Sequence, residues 1–230
     1  MKIGILETGR LPEELARKHG DYPAMFARLL DGQGFKFRSW PVLDGKFPDS
    51  VHACDGWLIT GSRHGAYEGH DWIPPLEEFI RKVYKAGIPL VGICFGHQIM
   101  AQALGGKVVK FDGGWGLGRN RYVNKDGKEF ELHALHQDQV VECPPDAVVT
   151  ASSPFCENAA FAYRGNAISY QPHPEFTAQF MHDLIEVRKG QVLPVDLADA
   201  ALKDLGSELD SGKIAVEIAE FFKRSVRKAA

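Results

Sequence analysis

Apolar residues open the chain in short runs: KIGIL (2–6), FKFRSW (35–40), GWLIT (56–60) and PLVGIC (89–94), each bounded by Gly, Pro or Asp. Runs of this length with such punctuation predict β-strands. Between the first two, PAMFARLLDGQG (23–34) sets Met25, Phe26, Leu29 and Leu30 at helical spacing, with Gly32 suited to the stop. Between the last two, DWIPPLEEFIRKVYKAG (71–87) puts Ile73, Leu76, Phe79, Ile80 and Val83 on one helical face. FGHQIMAQALGG (95–106) predicts the next helix, closed by Gly105 and Gly106. Strand–helix–strand alternation predicts parallel strands joined by crossover helices, an α/β fold with a mostly parallel central sheet flanked by helices.

The pattern changes at Lys107. From there to about Tyr170 it gives short strands with turns between them: KVVK, NRYV, EFELHAL, AVVTAS, AFAYRG and AISYQ. These predict a hairpin-rich extension of the same sheet plus a small second sheet. Three helical stretches follow, at 175–188, 195–205 and 213–226. With no internal repeat or low-complexity linker, residues 1–189 read as one catalytic domain. Residues 190–230 read as a helical C-terminal segment packed on it.

Composition narrows the function classes. The 230 residues are 44% hydrophobic and 25% charged, with a net charge of −3, as expected of a globular protein with a real core. Basic residues are scattered apart from KRSVRK (223–228), which reads as a solvated helix end. Nucleic acid and membrane are therefore not expected partners. No window reaches the roughly 20 apolar residues of a membrane span. The start MKIGILETGR enters a strand directly, without the apolar stretch and cleavage site of a signal peptide, so the expected location is cytoplasmic. Cys54, Cys94, Cys143 and Cys156 have no CxxC spacing, and reduced thiols are the expectation.

One of these cysteines stands out. In VGICFGHQ (91–98) an apolar strand runs into Gly92-x-Cys94-x-Gly96 and then a helix. This is the outline of a nucleophile elbow, in which flanking glycines permit a sharp strand-to-helix turn. The helix N-terminus favours thiolate over thiol, and the N–H of Phe95 suits a developing oxyanion. On the turn alone, a small buried core cysteine fits equally well. A second segment, YQPHPEF (170–176), places His173 and Glu175 two apart in an extended stretch held open by Pro172 and Pro174. That spacing lets a carboxylate hold one ring nitrogen while the other faces a thiol. A capped helix start would explain Pro174 and Glu175, but not His173.

Together, GICFGHQ and QPHPEF resemble the class I glutamine amidotransferase family, and in particular the stand-alone relatives similar to the glutaminase domain of GMP synthetase. The resemblance covers about residues 1–188 and implies a flavodoxin-like three-layer sandwich. It implies Cys94 as nucleophile, His173 as general base and then acid, Glu175 as orienter, and a γ-glutamyl thioester on the pathway. It also implies a substrate contact from Gln98 and a supporting role for His97. LITGSRHGAYE (58–68) sits where relatives carry a Gly-Gly-Pro oxyanion loop. Here Gly61 remains to offer its N–H, and the proline is absent. LHALHQDQV (132–140) resembles the segment whose backbone holds the amino-acid end of glutamine, with His136, Gln137 and Asp138 at the matching positions.

The pair His133 and His136 lacks a zinc spacing, and neither a metal nor a cofactor is expected. DGGWGLG (112–118) lacks the dinucleotide spacing and reads as a tight loop near the pocket. His19, His52, His64, His70 and His182 read as surface or structural. After residue 188 about forty residues remain, too few for an ATP-using synthetase, so a separate synthetase subunit is a possible partner. The expected substrate is a small molecule, glutamine or a γ-glutamyl conjugate. The expected function is a glutamine amidotransferase-like hydrolase of that substrate's γ-amide; the alternatives are a stand-alone γ-glutamyl peptidase and, against the intact residue set, a catalytically silent binding module.

Overall fold

The computed structural model describes residues 1–164, 166–206 and 209–229. Gly165, the end of the predicted 160–165 strand, lies outside the described residues. So do the side chains from Val226 onward, which include half of the basic run.

The first half alternates as expected: β1 (Lys2–Glu7), α1 (Glu13–His19), α2 (Tyr22–Leu29), β2 (Lys36–Pro41), β3 (Gly56–Ile59), α3 (Ile73–Lys85), β4 (Leu90–Ile93) and α4 (Phe95–Ala103). The second half is β-rich: β5 (Lys107–Lys110), β6 (Gly116–Asn124), β7 (Glu129–His136), β8 (Asp138–Glu142), β9 (Ala147–Ser152), β10 (Ala160–Tyr163) and β11 (Ala167–Tyr170). Helices α5 (Ala178–Arg188), α6 (Val195–Leu202) and α7 (Ser211–Ala229) complete the chain. The sequence pattern missed α1 and β8. Leu15 is the one buried residue of α1, which leaves no periodicity to read.

Among the described residues nine strands form the central sheet in the order β2-β1-β3-β4-β11-β10-β9-β6-β7, and β5 pairs with β8 in a small second sheet. The sheet is mixed. Strands β2, β1, β3, β4 and β11 run parallel, and every ladder from β11 through β10, β9 and β6 to β7 is antiparallel.

Alternation along the strands divides the core into two faces. Trp57, Ile59 and Leu90 point to one face and meet Leu76, Phe79, Ile80 and Val83 of α3 and Ile99 and Met100 of α4. Ile3, Ile5, Leu58, Val91 and Ile93 point to the other and meet Phe26 of α2 and Ile214, Ile218 and Phe222 of α7. Helices therefore cover both faces, giving three layers. Gly4 is obligatory in β1, because a Cβ there would lie 2.2 Å from the Trp57 ring. A third cluster, with Leu15, Tyr22, Met25, Phe176, Phe180 and Leu184, packs α1, α2 and α5 at one end of the sheet.

Candidate functional site

Strand order decides which loops meet. β4 lies between β3 and β11, all parallel, with Ile59 opposite Gly92 and Ile93 opposite Tyr170. The segments after these strands, carrying Gly61, Cys94 and His173, therefore leave the sheet side by side. Carboxyl ends of parallel strands are where α/β sheets place their sites.

Cys94 is the turn between β4 and α4. Its N–H donates to Tyr170 O (2.8 Å) and its carbonyl accepts from Gln98 N–H (3.0 Å), so both ends of the turn are fixed. Its backbone sits at φ 54°, ψ −105°, a conformation that L-residues rarely adopt. Glycines make the bend possible. A Cβ on Gly92 would fall 2.5 Å from Gly96 O and from Met100 Sδ, and a Cβ on Gly96 would fall 2.4 Å from Ile59 O. Phe95 opens α4, so its N–H has no intrahelical acceptor.

His173 and Glu175 precede α5, which starts at Ala178 and is capped by Thr177. The helix-start reading of Pro174 and Glu175 is thus set aside. His173 Nδ1 lies 2.7 Å from Glu175 Oε1, and the His173 backbone N–H donates to His133 O (2.8 Å) on β7. Its ring stacks on Phe176 at 3.9 Å and 6°. With Nδ1 committed to Glu175, Nε2 is the nitrogen left to face Cys94, which lies beside the ring across Gly61. Burial opposes a charge on this imidazole, yet Glu175 and the Cys94 sulfur outweigh it and hold the His173 pKa well above its ordinary value. Glu175 Oε2 is buried with no hydrogen-bond partner among the described residues.

Gly61 completes the group. A Cβ on it would lie 3.0 Å from His173 Cε1 and 3.7 Å from Cys94 Cβ, so its backbone runs directly beside the thiol. Thr8, at the end of β1, anchors this loop: its N–H donates to Thr60 Oγ1 (3.1 Å), and its hydroxyl lies 2.9 Å and 3.1 Å from the Thr60 and Gly61 carbonyl oxygens. This hydroxyl network holds the loop that carries Gly61. His97 is a support: Nδ1 meets Ser169 Oγ at 2.8 Å, the ring stacks on Phe161, and burial pushes its pKa down to about 3.

A cleft of about 280 Å³ opens onto Cys94. Gln98, His136, Gln137 and Asp138, predicted from the sequence, all line it. Gln98 Nε2 donates to Asp138 O (2.8 Å) and to Gln171 Oε1 (3.1 Å), tying α4 to β8 and to the His173 segment. Asp138 accepts from Tyr67 OH at 3.0 Å, and burial raises its carboxyl pKa. His136 Nδ1 lies 3.2 Å from Asp138 O, and burial lowers its pKa to about 4, so the ring is neutral. Trp115, from the predicted tight loop, is also in the wall. Arg63, Lys110 and Arg188 line the cleft and were not anticipated. They come from a loop, a strand end and a helix end, and share no sequence motif. All four cysteines are free, and among the described residues no helix is long and apolar enough to cross a membrane.

Comparison with known proteins identifies the family. Residues 45–186 match the family Glutamine amidotransferase class-I. The chain is 34% identical over 189 residues to Gamma-glutamyl peptidase 4 of Arabidopsis thaliana, covering 75% of each chain. It is 31% identical over 173 residues to the glutamine-hydrolyzing GMP synthase of Azoarcus sp., covering 64% of this chain and 32% of that one. A glutamine amidotransferase structure from Thermotoga maritima superposes with a TM-score of 0.77 at 21% identity, over 98% of both chains, and supports the fold. The chain belongs to the class I glutamine amidotransferase family, and its relatives mark it as an amide-hydrolysing enzyme.

Proposed function

We propose that this protein hydrolyses the γ-amide bond of a γ-glutamyl peptide through Cys94, His173 and Glu175. The observation that carries the reading is the bridging position of His173, between Glu175 Oε1 at 2.7 Å and the side chain of Cys94 on its strained turn. In this reaction the Cys94 sulfur attacks the γ-carbonyl carbon. The carbonyl oxygen becomes an oxyanion facing the N–H groups of Phe95 and Gly61, a role worth roughly 10²–10³ in rate per donor. The C–N bond breaks as His173 gives its proton to the leaving amine, which leaves a γ-glutamyl thioester on Cys94. Water then gives a proton to His173 and attacks the thioester, releasing glutamate and restoring the thiol. Glu175 holds the ring tautomer and offsets the imidazolium charge.

Two features support a peptide over glutamine alone. Relatives at about 30% identity carry the name gamma-glutamyl peptidase. The cleft also presents three cations, Arg63, Lys110 and Arg188, in a chain of net charge −3. Its acids are already engaged, Glu68 by His64 and His70 and Asp138 by Tyr67. Such a cleft suits a substrate with carboxylates beyond the γ-glutamyl group. Gln98 and residues 136–138 line the same cleft, which supports a role for them at the glutamyl amino-acid end. The free thiols suit a reducing, cytoplasmic setting.

The match to GMP synthase favours a second reading, an ammonia donor to a separate synthetase. Release of glutamate from glutamine, γ-glutamyl dipeptides and glutathione, with Cys94→Ala as blank, separates the two. Efficient Cys94-dependent cleavage of the peptides supports the proposal. Cys94-dependent turnover of glutamine alone overturns it in favour of the donor.

A further inference from the structure

Between Gly61 and α3 the chain carries His64, Glu68 and His70, of which the sequence alone marks the two histidines as surface or structural. Folding brings one ligand atom of each to within 4.8 Å of the others. Both imidazoles address the same carboxylate oxygen: His64 Nδ1 lies 3.3 Å and His70 Nε2 lies 2.7 Å from Glu68 Oε2. Two protonated nitrogens sharing one oxygen satisfy hydrogen bonding. The same convergence is also what a small cation needs, since donors about 2.0–2.1 Å from a tetrahedral centre stand ~3.3 Å apart.

Trp72, outside the cluster, packs against both imidazoles. His70 stacks on Trp72 at 5.9 Å and 13°, and its ring centroid is 4.2 Å from that of His64. Glu68 N–H donates to Gly65 O (3.1 Å), closing the loop on itself. Two imidazoles with one carboxylate suit zinc-like ions rather than magnesium or calcium, which prefer all-oxygen sites.

We propose that His64, Glu68 and His70 bind one divalent transition-metal ion of the zinc class, clasping the loop that begins at Gly61. On binding, each ring keeps its proton on the nitrogen remote from the metal, and water fills the open coordination position. Trp72 packs on Phe95 at 5.5 Å, so the clasp stiffens a loop connected on one side to Gly61 and on the other to the residue after Cys94. His64 and Glu68 also line the cleft that opens onto Cys94, so the test reads metal binding rather than turnover.

The experiment titrates metal-stripped protein with Co²⁺, followed by visible absorbance, and then displaces Co²⁺ with Zn²⁺. A Cys94→Ala/Cys143→Ser variant runs in parallel, because thiolates also bind these ions. The expected result is one equivalent bound by wild type and by the thiol variant with the same affinity, without sulfur-to-metal charge-transfer absorption. His70→Gln and Glu68→Gln should each weaken binding at least tenfold, and Zn²⁺ should raise the Tm of wild type but not of either variant. Circular dichroism checks that each variant is folded, and either folded one suffices. Binding that disappears with the thiols, binding that survives His70→Gln or Glu68→Gln, or no stoichiometric binding by wild type overturns the site.

Discussion

The strained turn at Cys94 makes a prediction whose sign is unusual. At an ordinary position, replacing Ala by Gly destabilises a protein by about 0.5–1 kcal/mol, because glycine loses more freedom on folding. At Cys94 the backbone is held at φ 54°, ψ −105°, where any Cβ clashes with its own peptide groups. Such conformations cost on the order of 1–3 kcal/mol. Cys94→Ala keeps the Cβ and therefore the strain, whereas Cys94→Gly removes both. Each variant lacks the sulfur, so the contact with His173 is lost equally and cancels in the comparison. Relief of roughly 2 kcal/mol against about 1 kcal/mol of glycine entropy leaves Cys94→Gly more stable by ~1 kcal/mol. For a chain of this size that is about 2–4 °C in Tm. Urea and thermal unfolding of the two inactive variants measure it directly. If Cys94→Gly is the less stable by the ordinary amount, the turn at Cys94 stores no strain.

Glu175→Gln should lower kcat less than His173→Ala, because stacking on Phe176 at 3.9 Å and the His133 backbone bond still position the ring. Equal losses in steady-state kinetics would assign Glu175 a direct part in proton transfer. Stability should fall as pH drops from 7 to 5. Burial lowers the pKa of His97 to about 3 and of His133 and His136 to about 4, so between those values and an unfolded value near 6.5 the unfolded chain binds more protons. His173 acts oppositely: its raised pKa gives stability fully present below about 6.5 and lost only as pH rises through the folded value. Three protons against one leave a net loss on the order of 4 kcal/mol by pH 5. A urea midpoint that is flat or rising from pH 7 to 5 would show that these histidines are not buried as described.

Much of the site was legible because its chemistry sits in two contiguous motifs. Gly92 and Gly96 announce the bend at Cys94, and the prolines around His173 announce the extended spacing to Glu175. Their meeting was not legible from spacing, since it depends on β11 lining up beside β4. Gln98 shows another limit: its amide is tied to Asp138 and Gln171, a framework contact that no motif displays. Lys110 and Arg188 reach the cleft from β5 and α5, elements far apart in sequence. β8 went unread because Gln137 alone separates it from β7. The antiparallel half of the sheet was visible only as closely spaced hairpin strands.

The central claim is that Cys94 carries the γ-glutamyl group. Rapid acid quench of the enzyme with a γ-glutamyl peptide, followed by intact-protein mass spectrometry, tests it most directly. The account predicts a mass increase of one γ-glutamyl group, located on the Cys94 peptide, sensitive to hydroxylamine and absent from Cys94→Ala. Turnover with no adduct on Cys94 under any quench time, or an adduct that persists in Cys94→Ala, would contradict it.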